Sequence, residues 1–380
     1  MRVPACLCPR VRAGVHGAGL HVSDFPPLSA GLQACRGRLL SAFGGPLVTG
    51  RLCCADPERN PCMSRFHSPS SAFLQGVLLF ALAACLSAWA LRAGLPAGPQ
   101  AADIIWQLRL PRLLLALVSG AALALAGLWL QTLFRHALVE PGLLGVSTGA
   151  GLAAVLSLLL WQDLIWLMPL AAFAGAGLSL LLVLALARRY QLQPEALLLV
   201  GIALNALLAA GTQLLLILGP DISLRAGSFW LMGSFAYAEW RWLLPGMALV
   251  LVLMAWGLRR ASSFDLWLLG EREAGLLGLP VPRFRRQVIW GSALLVAVAV
   301  AQAGSVAFIG LMAPHIAARL TGCQHARLMP VAMLVGGLLA VFADTLARTL
   351  LAPLELPVGV MTALLGAPFF LFVLHRRWRA

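Results

Sequence analysis

From residue 72 to the end, apolar runs of about twenty residues alternate with short breaks rich in Arg, Gly and Pro. At 1.5 Å of rise per residue, a helical run of that length covers the roughly 30 Å hydrocarbon core of a bilayer. The runs fall near 72–91, 112–133, 142–160, 164–186, 195–218, 240–257, 286–302, 305–319, 329–349 and 358–374, which predicts ten spans. The eighth is short and is expected to pair with the seventh as a bent unit. The stretch Arg109–Gly151 sets the pattern: two arginines flank a proline, an apolar helix follows, and a polar break leads into the next run. Gly120, Ala124 and Gly127 lie in that first helix, and small residues at such spacing let membrane helices approach closely. The predicted fold class is therefore all-α: a polytopic bundle rather than a lone anchor.

Composition sharpens this. With 61% hydrophobic and 11% charged residues in 380, the chain holds more apolar surface than a soluble domain can hide. The formal charge of +14 sits between apolar runs and at the chain ends, the distribution of cytoplasmic membrane loops and not of a nucleic-acid face. In the ten-span topology, fourteen arginines from Arg135 to Arg379 fall on one side, against six on the other: Arg92, Arg109, Arg112, Arg225, Arg241 and Arg348. The bias predicts that both termini are cytoplasmic.

Residues 1–62 mix Arg, Gly, Pro and Cys without sustained periodicity and lack the h-region of a secretory signal. They are read as a disordered or spurious extension, with Met63 opening the domain that spans 63–380. All 28 basic residues are arginines, so no Walker A lysine exists and ATP-driven work needs a second chain to hydrolyse ATP. Six of eight cysteines precede residue 63, in no zinc spacing. His136, His315 and His325 are scattered, and no metal site is expected. The Gly145–Gly151 string GVSTGAG reads as a small packing face and not as a phosphate cradle.

Arginines outside are unusual, so Arg109, Arg112 and Arg348 stand out as a docking surface for an acidic partner, the alternative being interfacial snorkelling. Asp344, four residues before Arg348, is placed to neutralise and orient it. The inner loop 259–286 contains DLWLLGEREAGLLGLPV, read as two short surface helices joined near Gly270 and ended by Gly278 and Pro280. Asn205, Thr212 and Gln213 recur at i, i+7 and i+8 as a polar stripe, open to interhelical hydrogen bonding or to lining a path. Arg109–Gly127 and Pro282–Gly304 echo each other weakly, as an inverted repeat would.

The strings RLPR, GAALALAG, HALVEPGLLGVSTGAG, GSVAFIGLMAPHIAARL and LELPVGVMTALLGAPFF, in this order over Ala72–Ala380, resemble the FecCD family, permease subunits of ABC importers for iron chelates, haem and cobalamin. The resemblance implies a type II ABC importer permease fold of about ten transmembrane helices in the bacterial inner membrane. It also implies a second permease subunit, as a homodimer, and ABC ATPase subunits that bind ATP and Mg. Glutamates on a periplasmic substrate-binding protein would meet Arg109, Arg112 and Arg348. Gly270, Glu271, Ala274 and Gly278 match the stretch that couples to the ATPase, and Asn205, Thr212 and Gln213 fall on the family's path-lining helix. YQLQPE lies at the inner gate, with Gln193 and Pro194 where cobalamin permeases carry small hydroxyl residues. The expected function is uptake of a ferric siderophore or haem, with cobalamin as the alternative cargo and no covalent catalysis by this chain. A rival, an ion-coupled secondary transporter, would need intramembrane carboxylates, for which Asp344 is nearly the only candidate.

Overall fold

The computed structural model describes residues 101–161, 164–189, 194–351 and 354–378. The extension 1–62 and the first predicted span, 72–91, lie outside them. A short helix, Ala101–Ile104, runs through a π turn at Ile105–Arg109 into α1 (Leu110–Phe134). There follow α2 (Val146–Leu160), α3 (Met168–Arg189), α4 (Pro194–Leu218), α5 (Asp221–Leu231) and α6 (Trp240–Arg259). The short α7 (Ala261–Leu269) and α8 (Glu271–Leu276) precede α9 (Val281–Ala303), α10 (Ile309–Thr321), α11 (His325–Thr349) and α12 (Val358–Trp378). Among the described residues, six helices are long and apolar enough to cross a membrane, and Val146–Leu160 and Val358–Val373 are shorter apolar ones. The chain is a multi-pass, all-helical membrane protein.

α1 is the axis of the bundle. It packs most extensively on α11, then on α9 and α10, with α6 alongside. The most apolar stretch of this helix is 78% buried, against 22% for those of α4 and α6, which lie at the periphery. Lipid tails are as apolar as leucine, so burial in a membrane gains little from water exclusion and depends on close contact. Glycine supplies it. A Cβ on Gly336 would lie 2.5 Å from both the Gly120 carbonyl oxygen and the Ala124 Cβ, and one on Gly127 would run into the Gly310 backbone. α1, α10 and α11 therefore meet backbone to backbone. Lower on α1, Gly257 and Gly291 leave room for Trp129, whose indole is fully buried beside Trp256 and Phe264 at centroid distances of 5.2 and 5.7 Å.

The eighth span departs from expectation. Gly304 adopts φ 69° and Phe308 φ 66°, so the helix stops at Ala303 and resumes only at Ile309, leaving α10 thirteen residues long. Hydropathy reads GSVAF as part of an apolar run and cannot see the turn in it. α10 packs on α11 and α1, and does not fold back on α9 as the bent-unit reading expected. Non-helical backbone at membrane depth persists only where other groups satisfy it. Here Ser234 N–H donates to Ala303 O at 2.8 Å, Val358 N–H to Gly233 O at 2.9 Å and Gly359 N–H to Met232 O at 3.0 Å. Three breaks are thereby knitted together. α5, which fills the gap between the fifth and sixth spans, was not foreseen either.

If the glycine contacts set this packing, Gly127→Ala should destabilise the purified protein by about 1–3 kcal/mol through overpacking. Gly177→Ala, with nothing near its added Cβ, should be harmless; thermal unfolding in detergent, compared between the two, checks this.

Candidate functional site

At the end of the bundle where α1 starts and α11 stops, five charged side chains converge. α1 carries Arg109 and Arg112, α11 carries Asp344 and Arg348, and the turn before α12 carries Glu355. Arg112 Nε donates to Asp344 Oδ1 and Oδ2 at 3.0 and 3.1 Å, and its Nη2 to Oδ1 at 2.9 Å. Its Nη1 donates to Glu355 Oε2 at 3.1 Å. Arg348 Nε stands 3.5 Å from Asp344 Oδ2. The three arginines expected to share a side do share one site. Asp344 pairs with Arg348 as expected, but the hydrogen bonds described for it come from Arg112 across the helix interface, because the planar fork of Arg112 approaches it side-on while an i,i+4 stem must reach along its own helix. Arg112, with its side chain 12% exposed, is already engaged by two carboxylates of its own chain. Glu355, half exposed, is the contact that an incoming carboxylate could replace.

At the opposite end lie α7 and α8, the two short helices expected. The four residues expected to contact a partner there do not share a face. Gly270, at φ 143°, is buried at the α7–α8 junction, and Ala274 is fully buried and packs into the protein. Glu271 is exposed, with Arg285 Nη1 3.6 Å from its carboxylate, and Gly278, at φ 90°, closes α8 in the open. Around them Leu268, Leu269, Leu276 and Leu277 are exposed, Leu276 at 89%. Sequence reading missed these leucines; their signal was a helix of only six residues, too short to bury more than one face. α7 itself is tied to the end of α1: Trp267 Nε1–H donates to Leu133 O at 3.0 Å, and Arg135 Nη2 donates to Trp267 O at 2.9 Å.

The expected polar stripe on α4 splits. Asn205 Nδ2 donates to Gly142 O at 3.0 Å and its Oδ1 accepts from Thr148 at 2.6 Å, so it joins helices. Thr212 is buried and donates to Leu208 O of its own helix. Only Gln213 is exposed. Asn205 thus follows the interhelical-bonding reading of the stripe while Thr212 bonds within its own helix, which spares both the cost of unsatisfied polar groups in an apolar setting. A groove of about 600 Å³ opens instead beside the knitted breaks, walled by Met232, Ser305, Ala307, Gly359 and the α12 face from Val360 to Pro368. Sequence reading did not single it out, although the small residues of GSVAF and LPVGVMTALLGAP line it. Gln193 lies outside the described residues, and Pro194 is described only as the backbone start of α4. His136, His315 and His325 belong to no cluster of metal-ligating type among the described residues.

Glu140 lies in the connection between α1 and α2. Its Oε1 accepts the Phe308 N–H at 2.7 Å, holding the residue that restarts the chain at α10. Burial pushes its carboxyl above the usual glutamate range, opposed in part by that hydrogen bond.

The family model of the FecCD transport family matches residues 71–376. The Fe(3+)-citrate import system permease protein YfmE of Bacillus subtilis (strain 168) is 40% identical over 279 residues, covering 71% of this chain and 81% of that protein. The vitamin B12 import system permease protein BtuC of Yersinia enterocolitica is 42% identical over 276 residues, covering 72% and 82%. Among solved structures, an inward-facing conformation of a metal-chelate type ABC transporter superposes with a TM-score of 0.74 at 33% identity, covering 81% of this chain and all of the other.

For Glu140 the linkage sign is fixed by its raised carboxyl: the folded state holds the proton more tightly, so stability falls as pH rises through the window between the ordinary and the raised value. Glu140→Gln should keep the acceptor and flatten that part of the pH profile. Glu140→Ala should cost about 1–3 kcal/mol by orphaning the Phe308 N–H; unfolding midpoints measured across pH decide.

Proposed function

The chain belongs to the FecCD transport family, and on that premise we propose that it is the permease subunit of an ATP-driven importer that moves an iron chelate inward across the bacterial inner membrane. One observation carries the reading. A single helix, α1, about 37 Å long at 1.5 Å per residue, starts in the arginine cluster and ends under the α7–α8 surface. Its two ends thus offer two different docking chemistries.

At the outer end, three guanidiniums face two carboxylates, leaving an excess of positive charge for acidic groups on a periplasmic substrate-binding protein. Arg109 and Arg348 meet these groups, and Arg112 takes one by exchanging it for Glu355. Guanidinium suits this role because its fork binds carboxylate in bidentate fashion. At the inner end, Leu276 and Leu277, with Glu271 and Gly278, press against partner ATPase subunits that bind ATP and Mg. Gly270 and Ala274 act indirectly, by shaping the turn and seating α8.

Cargo passes along the groove and the exposed Gln213 face, closed by a second, identical permease subunit. Residues 63–380 carry this work, with both termini in the cytoplasm. An iron chelate is favoured over cobalamin because Gln193 and Pro194 stand where cobalamin permeases carry small hydroxyl residues.

Reconstituted in proteoliposomes with its ATPase and binding protein, the chain should import a ferric chelate only when ATP is hydrolysed, and separate offers of ferric siderophore, haem and cobalamin should read the cargo. Uptake driven by a proton or sodium gradient with an inactive ATPase would overturn the reading. Arg109→Glu should weaken docking of the binding protein about tenfold at low salt and less at high salt.

A further inference from the structure

The buried polar cluster under the start of α11 has no part in the site described above. His325 is the first residue of α11, and its side chain is 2% exposed. Its ring Nδ1 donates to Asp265 Oδ1 on α7 at 2.6 Å, and its backbone N–H donates to the same oxygen at 3.1 Å. Asp265 therefore caps α11 from a different helix, satisfying one of the donors a helix start leaves open. On the other side, Nε2 stands 2.9 Å from Thr132 Oγ1 in the last turn of α1. The face of the ring stacks on Phe264, also on α7, at a centroid distance of 5.5 Å. One imidazole thus joins three helices.

The other side-chain attachments of this segment run to α1, α6 and α9: Phe264 packs on Trp129, Trp256 and Phe284, and Arg285 pairs with Glu271. The segment's covalent entry from α6 passes through the non-helical Arg260, and its exit to α9 passes through the turn from Leu277 to Pro280 with Gly278 at φ 90°. Trp267 and Arg135 tie α7 to α1 but do not reach α11. Among the described side-chain hydrogen bonds, the Asp265–His325 pair is the one linking α7 to α11. α1 and α11 are in turn joined at mid-length through Gly120 and Gly336 and at the far end through Arg112 and Asp344. Held at both ends and in the middle, the pair has little freedom to bend internally, so a displacement entering at His325 and Thr132 emerges at the arginine cluster.

We propose that Asp265, His325 and Thr132 form the joint through which motion of the α7–α8 segment is passed to the α1–α11 pair, making them positioning residues for transport. This rests on the reading of the chain as an ATP-driven permease. A hydrogen-bonded joint suits the task because its geometry is directional, whereas apolar contacts alone let one helix slide on another.

The test uses the complete transporter in proteoliposomes, measuring uptake and ATP hydrolysis together. Asp265→Ala and His325→Ala should leave hydrolysis without binding protein within about twofold, while uptake per ATP falls about tenfold. The double variant should be no worse than either single one, because each breaks the same link. Asp265→Asn, which keeps an oxygen acceptor for both N–H groups, should restore most of the coupling. Thr132→Val, nearly isosteric, should lower uptake per ATP by about threefold and carries the test should the alanine variants fail to accumulate. Unchanged uptake per ATP in Thr132→Val and in the alanine variants that accumulate, or losses that multiply in the double variant, would overturn the joint. Wild-type protein that imports nothing on ATP would instead bring down the permease reading itself, so the two failures are told apart.

Discussion

Everything in this bundle depends on α1 lying against α10 and α11 with nothing between their backbones. In water, helices are driven together by removing apolar surface from solvent; in lipid that drive is absent, and attraction comes from dispersion over short distances and from the few polar groups that meet. Gly120 against Gly336 and Gly127 against Gly310 bring main chain to main chain. The approach also decides which polar groups can find one another. Only because the axes are this close does Arg112 reach Asp344 at one end, and Thr132 reach His325 at the other. Had these glycines carried side chains, both polar joints would be pulled apart.

The charged end illustrates which electrostatic effect prevails. Glu355 is half exposed, and its contact with Arg112 is of the kind worth at most about 1 kcal/mol in solvent. Asp344 is different. Its side chain is 6% exposed, and a carboxylate so placed is costly unless it is paired and hydrogen-bonded. Arg112 supplies Nε and Nη2 together, and removing it would leave Asp344 with the longer 3.5 Å contact to Arg348. The inner contact therefore holds the two helices, while the outer one is exchangeable, and the division matches their burial and not their sequence spacing.

How much of this could be read from the sequence follows from what hydropathy and spacing can encode. Span lengths, the shared side of Arg109, Arg112 and Arg348, and the two short helices near Gly270 were legible because each is written in one local stretch. The pairing of Asp344 with Arg348 was legible too, but its bond to Arg112 was not, since a helical repeat is blind to a residue more than two hundred positions away. The stripe of Asn205, Thr212 and Gln213 was seen, but its two faces were merged, because i+7 and i+8 differ by a rotation that decides between interior and exterior. Ala274 was taken for a surface contact because smallness suits both an interface and a tight core. The break at Gly304–Phe308 was hidden by apolar residues that score as span. His325 was read as one of three scattered histidines forming no metal site, and its place between three helices is not written in any local spacing.

The glycine-zipped pair and the knitted breaks satisfy the backbone of this bundle in two different ways. α1 and α11 share long, close contacts and polar links at both ends, so separating them would forfeit many interactions at once. The groove wall is made otherwise. The breaks at Gly233, Gly304–Phe308 and Leu356–Gly359 are held to one another by several backbone hydrogen bonds, with Glu140 fixing one of them. Gly233, Gly304 and Gly359 also approach so closely that a Cβ on any of them would run into backbone, the same device that brings α1 against α11. Helix packed on helix in one place, and broken backbone re-bonded to broken backbone in the other, let the bundle hold a groove at membrane depth without leaving main-chain groups unsatisfied.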